Sequence, residues 1–481
     1  MRETTNPTKT SLRPIMVLCG AMLGVGVIIS PVPEGMSPEA WKVLGVAIWM
    51  AFWWLTEALP VTVTALMPLI VFPVLGLFDF KTSAAPYAHP LIFLFMGGFI
   101  IAKAIETWKL HLRIALLIVR AFGTRPDHLV AGFMLATAIL SMWVSNTAAT
   151  VMMLPIALSI IGVLNEKEDP RIADNTATAL LLGIAYAASI GGMGTLVGSP
   201  PNALLAAFAQ EQLGLELGFA KWLTIGLPMV FVMLPLAWLL LTRVTCPVSR
   251  RPIPGADAVV ESEIKALGPM SIEEKRVLAI FILTALSWIF RPMITNAFPG
   301  MGLTDSGIAL MGAVSLFIIP TGKGDNSCLM TWPHAVSLPW GVLLLFGGGL
   351  SLANAISRSG LADSLGGGLI GLDGFPTLVL VAAVTALIVF LTEITSNTAT
   401  TAVFLPIVAT LASSLGVAPL ELTIPVALAA SCAFMMPVAT PPNAIIFASE
   451  KLTVAQMAKA GLLLNLIAIA VIIAVTSVLA N

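Results

Sequence analysis

The chain has 481 residues, 58% of them hydrophobic and only 10% charged, with a formal net charge of −1. Soluble domains carry roughly a quarter charged residues, so this composition implies an all-α polytopic membrane protein whose length is mostly spanning helix. The near-zero charge offers nothing to nucleic acid, and four cysteines (Cys19, Cys246, Cys328, Cys432) and four histidines are scattered without the spacing of a disulfide frame or a metal cluster.

Apolar segments of spanning length cover 14–31, 40–59, 61–79 and 89–108. The first is followed by Ser30-Pro31-Val32-Pro33 and not by a small-residue cleavage site, so it reads as a retained helix. Lys109 to Arg120 is apolar with basic residues on one side, the pattern of an amphipathic arm lying on the membrane. The stretch 128–163 is apolar but interrupted at Ser145-Asn146-Thr147; its halves are barely long enough to cross, and a re-entrant hairpin fits better than one long helix. A segment at 175–212 breaks at Gly198-Ser199-Pro200-Pro201-Asn202, and 222–242 closes the first half.

A polar, basic stretch from Thr245 to Arg276 reads as a linker. The second half repeats the plan with segments at 277–290, 304–320 and 339–357, a broken pair at 374–413, a broken segment at 423–449, and 455–480. The Gly-rich stretch Gly360 to Gly374 stands where the first arm stood. Arg2, Lys9 and Arg13 at the N-terminus, and the basic linker, are expected on the cytoplasmic side. Six crossings then separate them and five more place the C-terminus extracytoplasmic; an odd number of crossings per repeat makes the two repeats inverted in topology, with about eleven transmembrane helices plus two re-entrant helical hairpins in all.

The repetition is literal. Ser145 to Ile156 reads SNTAATVMMLPI and Ser396 to Ile407 reads SNTATTAVFLPI, eight identities in twelve at an offset of 251. Phe95-Met96-Gly97-Gly98 returns as Phe346-Gly347-Gly348-Gly349, and Pro200-Pro201-Asn202-Ala203 as Pro441-Pro442-Asn443-Ala444. Polar words recurring in order inside apolar segments are the mark of a secondary transporter built from two repeats.

Ser, Asn and Thr cap helix N-termini, so each word marks the start of a hairpin's second helix. Such a start presents unpaired N–H groups and a positive dipole end, which suit a carboxylate without any arginine. The same words suit a hard cation through hydroxyl and amide oxygens. Ser141 and Thr392 lie about one turn before Asn146 and Asn397, and the proline breaks free carbonyls near Gly198 and Ala439, beside the hydroxyls of Ser199 and Thr440. These residues also serve as glue between packed helices; it is their ordered recurrence that favours a site.

Two acids lie in apolar runs, Glu57 and Glu393. Each is a candidate coupling group by default, the alternative being a paired structural acid. The glycine pairs are followed by no GKS/T and so are not a phosphate loop. No nucleophile–base pair is present, so no enzyme is indicated and no organic cofactor is called for.

With these words in hand, the chain resembles the divalent anion/sodium symporter family, which includes bacterial sodium/dicarboxylate cotransporters. The resemblance covers nearly the whole chain and rests on the paired Ser-Asn-Thr words, each followed by a Pro-Pro-Asn break. It implies a homodimer with a scaffold and a mobile transport domain moving as an elevator, while the lack of glycosylation acceptors suggests a bacterial inner membrane. The organisation it implies is 1–126 first scaffold helices and arm, 127–244 first transport region, 245–276 cytoplasmic linker, 277–373 second scaffold helices and arm, and 374–481 second transport region. It also implies two sodium sites, one at Ser141, Ser145, Asn146 and Gly198, the other at Thr392, Ser396, Asn397 and Ala439. The carboxylate contacts it implies are Ser145, Asn146, Thr147, Ser199 and Pro200 with Ser396, Asn397, Thr398, Thr440 and Pro441. The function expected is sodium symport of a C4-dicarboxylate such as succinate, malate or fumarate; the alternative is a sodium-independent dicarboxylate or citrate exchanger of the same family.

Overall fold

The computed structural model describes residues 7–167, 169–322, 327–362, 364 and 376–479, and among them all regular structure is helical, apart from one isolated bridge between Pro320 and Cys328. Helices α1 (Pro7–Ile29) and α2 (Pro38–Thr56) pack as an antiparallel pair. Ser37 caps α2, accepting from the Ala40 amide, and Glu57 ends it in the left-handed region at φ 49°. The segment expected at 61–79 is not one span. It divides into α3 (Val61–Thr64) and α4 (Met67–Val74), followed by α5 (Phe80–Ala84) and a 3-10 turn at Ala85–Ala88. Pro68 explains the division: it has no N–H to donate, and its ring crowds the carbonyl four residues back, at Thr64.

Helix α6 (Pro90–Thr107) turns at Lys109, φ 57°, into α7 (Leu110–Phe122), the expected amphipathic arm. The arm buries Leu110, Ala115, Leu116 and Val119. Arg113 fastens it by a 3.0 Å ion pair to Glu274 and a 3.0 Å hydrogen bond to the Gly268 carbonyl.

Next comes the first interrupted pair, α8 (Pro126–Ser141) and α9 (Asn146–Lys167), joined by a turn at 142–145. Helix α10 (Pro170–Gly192) ends in a non-helical stretch, and α11 (Pro200–Leu213) resumes after it. Helix α12 (Phe219–Leu239) runs into a π-helical turn at Leu240–Thr245. The polar stretch 245–276 is more than a linker. It holds α13 (Ala256–Leu267), which packs on α7, and the start of α14 (Ile272–Ala297). That start is fixed by a capping box, in which Ser271 and Glu274 each satisfy the other's backbone amide.

The second half contains α15 (Asp305–Ile318), α16 (Trp332–Val336) and α17 (Trp340–Arg358). Most of the Gly-rich stretch 360–374 lies outside the described residues. The second interrupted pair, α18 (Thr377–Thr392) and α19 (Asn397–Ser414), begins its helices 251 residues after α8 and α9. Helix α20 (Pro419–Ala430) breaks before α21 (Pro441–Phe447), and α22 (Val454–Leu479) ends the fold. Among the described residues, six helices are long and apolar enough to cross a membrane; α8, α15, α18 and α20 are among the shorter apolar ones.

The halves interlock. Helix α11 packs on α19 and α20, while α21 packs on α9 and α10, so the short helix after each break leans on the other half's hairpin. Close crossings need glycine. A Cβ on Gly191 would lie 2.3 Å from the Ala138 carbonyl oxygen, and one on Gly461 would lie 2.2 Å from that of Phe434. Gly191→Ala is expected to cost about 1–3 kcal/mol through overpacking, read as a lower melting temperature of the purified protein; an unchanged melt would show slack at this crossing.

Candidate substrate and cation site

Each hairpin turns at its Ser-Asn-Thr word. Ser145 caps α9, its hydroxyl accepting from the Ala148 amide at 3.2 Å. Ser396 holds the same position before α19 but its side chain makes no capping bond. Behind each tip stands a fully buried hydroxyl. Ser141 Oγ lies 2.5 Å from Asn146 Oδ1 and 2.7 Å from the Ala188 carbonyl oxygen. Thr392 Oγ1 lies 2.7 Å from Asn397 Oδ1 and 3.0 Å from the Ala430 carbonyl oxygen. A hydroxyl has one proton to donate, so it satisfies only one of its two acceptors. A hard cation would resolve the conflict, with the hydroxyl donating to the carbonyl and turning a lone pair toward the ion beside the amide oxygen.

The breaks supply further oxygens. Before each proline pair the chain is extended, at φ −141° for Ser199 and φ −139° for Thr440, as proline requires of the residue preceding it. The asparagine of each Pro-Pro-Asn word then reaches back across its break. Asn202 Nδ2 donates to the carbonyls of Gly192 (3.0 Å) and Thr195 (2.8 Å); Asn443 Nδ2 donates to those of Ala433 (3.2 Å) and Met436 (3.0 Å). Both asparagines are fully buried, and every partner corresponds at the same offset of 241. In the first break, a Cβ on Gly192 would sit 2.7 Å from Asn146 Oδ1 and 3.2 Å from the Gly198 carbonyl oxygen. Glycine there lets the tip amide and the break carbonyl converge.

Both tips and both breaks line one cavity of about 910 Å³, the scale of a small-ligand site. Ser145, Asn146, Thr147, Gly198, Ser199, Pro200, Ser396, Asn397, Thr398, Ala439, Thr440 and Pro441 all contribute to its wall. Of the residues expected at the site, Ser141 and Thr392 alone lie behind the wall, each in contact with its asparagine. Ser199 Oγ and Ser431 Oγ are 3.2 Å apart, so the two breaks touch across the halves.

Charge is sparse at this cavity. Its wall carries Glu57, Lys103 and Glu106, and Lys103 is already paired with Glu106 at 3.0 Å. A carboxylate in the cavity therefore meets helix N-termini, hydroxyls and amides. Of the two acids singled out, Glu57 is an exposed helix C-cap on the wall. Glu393 is a buried, hydrogen-bonded structural acid, accepting from the amides of Phe434, Met435 and Met436 and from Asn465.

Sequence reasoning did not find the clamps made by Asn202 and Asn443, although their repetition was visible. It also passed over Lys103, and Trp143, which lines the cavity and stacks on Phe219 at 5.8 Å.

Residues 11–480 match the family described as the sodium:sulfate symporter transmembrane region. The chain belongs to the divalent anion/sodium symporter family. Among the relatives of this symporter is a sodium-dependent dicarboxylate transporter, SdcS, of Staphylococcus saprophyticus, 43% identical over 465 residues, covering 95% of this chain and 90% of that one. The SdcS of Staphylococcus aureus is 42% identical over 470 residues, with 94% and 90% covered. Solved structures of the Alcanivorax borkumensis YdaH transporter (TM-score 0.56, 14% identity, 98% and 96% covered) and of Neisseria gonorrhoeae MtrF (TM-score 0.57, 15% identity, 97% and 94% covered) are similar in fold. The family and these relatives are transporters.

The clamps are open to test. Asn202→Ala and Asn443→Ala each remove a side-chain donor from two carbonyls; those of Thr195 and Met436 keep a backbone amide (Gly198 at 3.3 Å, Ala439 at 3.2 Å), so the loss falls on Gly192 and Ala433 and costs about 1–3 kcal/mol in each variant. A fall in melting temperature is expected for both; if neither moves, the breaks are held by other contacts.

Proposed function

We propose that this protein is a sodium-coupled symporter of C4-dicarboxylates such as succinate, malate and fumarate. The observation that carries the reading is the twice-built cluster in which one buried hydroxyl faces two acceptor oxygens, immediately behind two helix N-termini that share one cavity. Oxygen clusters of this kind take sodium, and helix starts take carboxylates. The staphylococcal relatives are named sodium-dependent dicarboxylate transporters, which supports sodium and a dicarboxylate as the cargo.

In this reading Ser141, Ser145, Asn146 and the Gly198 carbonyl hold one sodium, and Thr392, Ser396, Asn397 and the Ala439 carbonyl hold the other. Thr147, Thr398, Ser199, Thr440, Pro200 and Pro441 complete the wall against the dicarboxylate. Each asparagine faces both partners, with its oxygen toward the cation and its amino group toward the carboxylate. Two sodium ions cancel a dianion's charge, so the loaded site crosses the membrane without the cost of carrying net charge against the potential, about 2.3 kcal/mol per charge per 100 mV. Each further sodium would make transport electrogenic.

The topology proposed is eleven crossings with both hairpins re-entrant, in two inverted repeats, the N-terminus cytoplasmic and the C-terminus outside a bacterial plasma membrane. Hairpins, breaks and the helices after them form the moving transport domain, the remaining helices form the scaffold of a homodimer, and alternating access is elevator-like. The interlocking of α11 with α19 and α20, and of α21 with α9 and α10, supports a single transport body spanning both halves.

Uptake of labelled succinate into proteoliposomes tests the reading. Uptake driven by an inward sodium gradient is expected; uptake indifferent to sodium but driven by internal dicarboxylate would replace symport with exchange. Asn146→Ala and Asn397→Ala should each abolish uptake while leaving expression and oligomeric state intact. Sodium-driven uptake surviving in either variant would show the site to be misplaced.

A further inference from the structure

The two breaks are near-copies in sequence offset and in their asparagine clamps, yet their backbone amides are satisfied in different ways. In the first, the amides of Met193 and Gly194 bond back to the carbonyls of Ile190 (3.2 Å) and Gly191 (2.9 Å). Its support comes through oxygen atoms: the Trp222 indole donates to the Met193 carbonyl at 3.0 Å, and the Thr195 hydroxyl donates to that of Met142. In the second, three consecutive amides donate outside their own segment, to a side chain of the hairpin tip. Phe434 N (2.7 Å) and Met435 N (2.9 Å) donate to Glu393 Oε1, and Met436 N (2.9 Å) donates to Glu393 Oε2. Asn465 Nδ2, from the middle of α22, adds a fourth bond at 2.7 Å. Glu393 is 3% exposed, and the first-half counterpart of this carboxylate is Met142.

Glu393 directly follows Thr392, so the group that grips the second break lies one residue beyond the hydroxyl that lines the second cation cluster. From the other side α22 offers Gly461 and Asn465, one turn apart on one face. Gly461 admits the Phe434 carbonyl and Asn465 holds the carboxylate. The break is thus fixed between the tip of its own hairpin and the last helix, and the Ala439 carbonyl is carried on the segment so fixed.

We infer that Glu393, locked by Asn465, is the positioning residue of the second cation site: it sets the break's carbonyls in register with Thr392 and Asn397 and does not itself touch the cargo. This rests on the sodium-symport reading. A consequence is that the two sodium sites are not equivalent: the amides of the first break are met by its own turns, those of the second by a side chain that one substitution can loosen.

Glu393→Gln keeps the side chain's size but replaces one acceptor oxygen with a donor that faces the Met436 amide. Sodium titration of the purified protein's melting temperature is the primary readout, with sodium dependence of succinate uptake as the second. The half-saturating sodium concentration is expected to rise roughly tenfold, the scale of a lost hydrogen bond to a charged group. The sigmoidal sodium dependence of uptake should flatten, while the succinate KM at saturating sodium stays at the wild-type value. A sodium titration equal to wild type overturns the inference, and so does a rise in succinate KM at saturating sodium without a sodium shift. If Glu393→Gln does not fold, Asn465→Ala removes one of the four donors and leaves the acid in place. A smaller shift in the same direction is then expected, and none overturns the inference. Wild type run in parallel separates the two levels: no sodium dependence in wild type sinks the symport reading itself, whereas a sodium-dependent wild type beside an unshifted variant sinks only the role of Glu393.

Discussion

A backbone amide or carbonyl inside a bilayer must have a partner within the protein, because no water is there to serve it. This constraint organises the whole structure. The chain twice ends a helix at a hairpin tip and twice unwinds one at a proline pair, and each event exposes backbone groups at a cost of several kcal/mol unless they are met. What meets them is a small set of polar side chains: Ser145 at a helix start, Asn202 and Asn443 across the breaks, Glu393 on three amides. Groups left facing the cavity are then free to bind cargo. The site is therefore the remainder of an otherwise complete accounting of hydrogen bonds.

The interlocking of the halves gives that remainder its geometry. Because α11 leans on the second hairpin and α21 on the first, neither break is held by its own half alone. The 3.2 Å approach of Ser199 to Ser431 is a result of this exchange. A displacement of one tip is transmitted to the other half's break through packed helices, which suits a cargo that needs both halves to be bound at once. Glycine makes the exchange possible, since Gly191 and Gly461 bring helices to a distance no side chain would allow.

Much of this was legible in the chain, and what was not has identifiable physical causes. The tips were readable because Ser-Asn-Thr recurs at a fixed offset and because hairpin halves of that length barely cross a membrane. Ser141 and Thr392 were expected to share a helical face with their asparagines; each instead ends its helix and meets the asparagine across the hairpin turn, a geometry that helical spacing does not give. Asn202 and Asn443 were visible as repeated letters, but their role depends on the path of an unwound backbone, which has no periodicity to read. The division at 61–74 was written in Pro68 and was masked by the apolar run around it. Helix α13 was hidden by polarity: it is a surface helix packed on α7, and its composition resembles a linker's. The grip of Glu393 falls where the repeats differ, so symmetry, the best guide elsewhere, was silent there.

Where a duplicated chain departs from its own symmetry, the departure carries information that the repeated words cannot. A perfect duplicate would hold two equivalent cation sites and would have no built-in order of loading. Here Met142 and Glu393 occupy the same place, and only the second can take backbone amides out of their helical register. Four donors converge on the Glu393 carboxylate and tie it to the break and to α22. That argues for a fixed part of the frame, and under the symport proposed above, coupling then falls to cations at the two oxygen clusters.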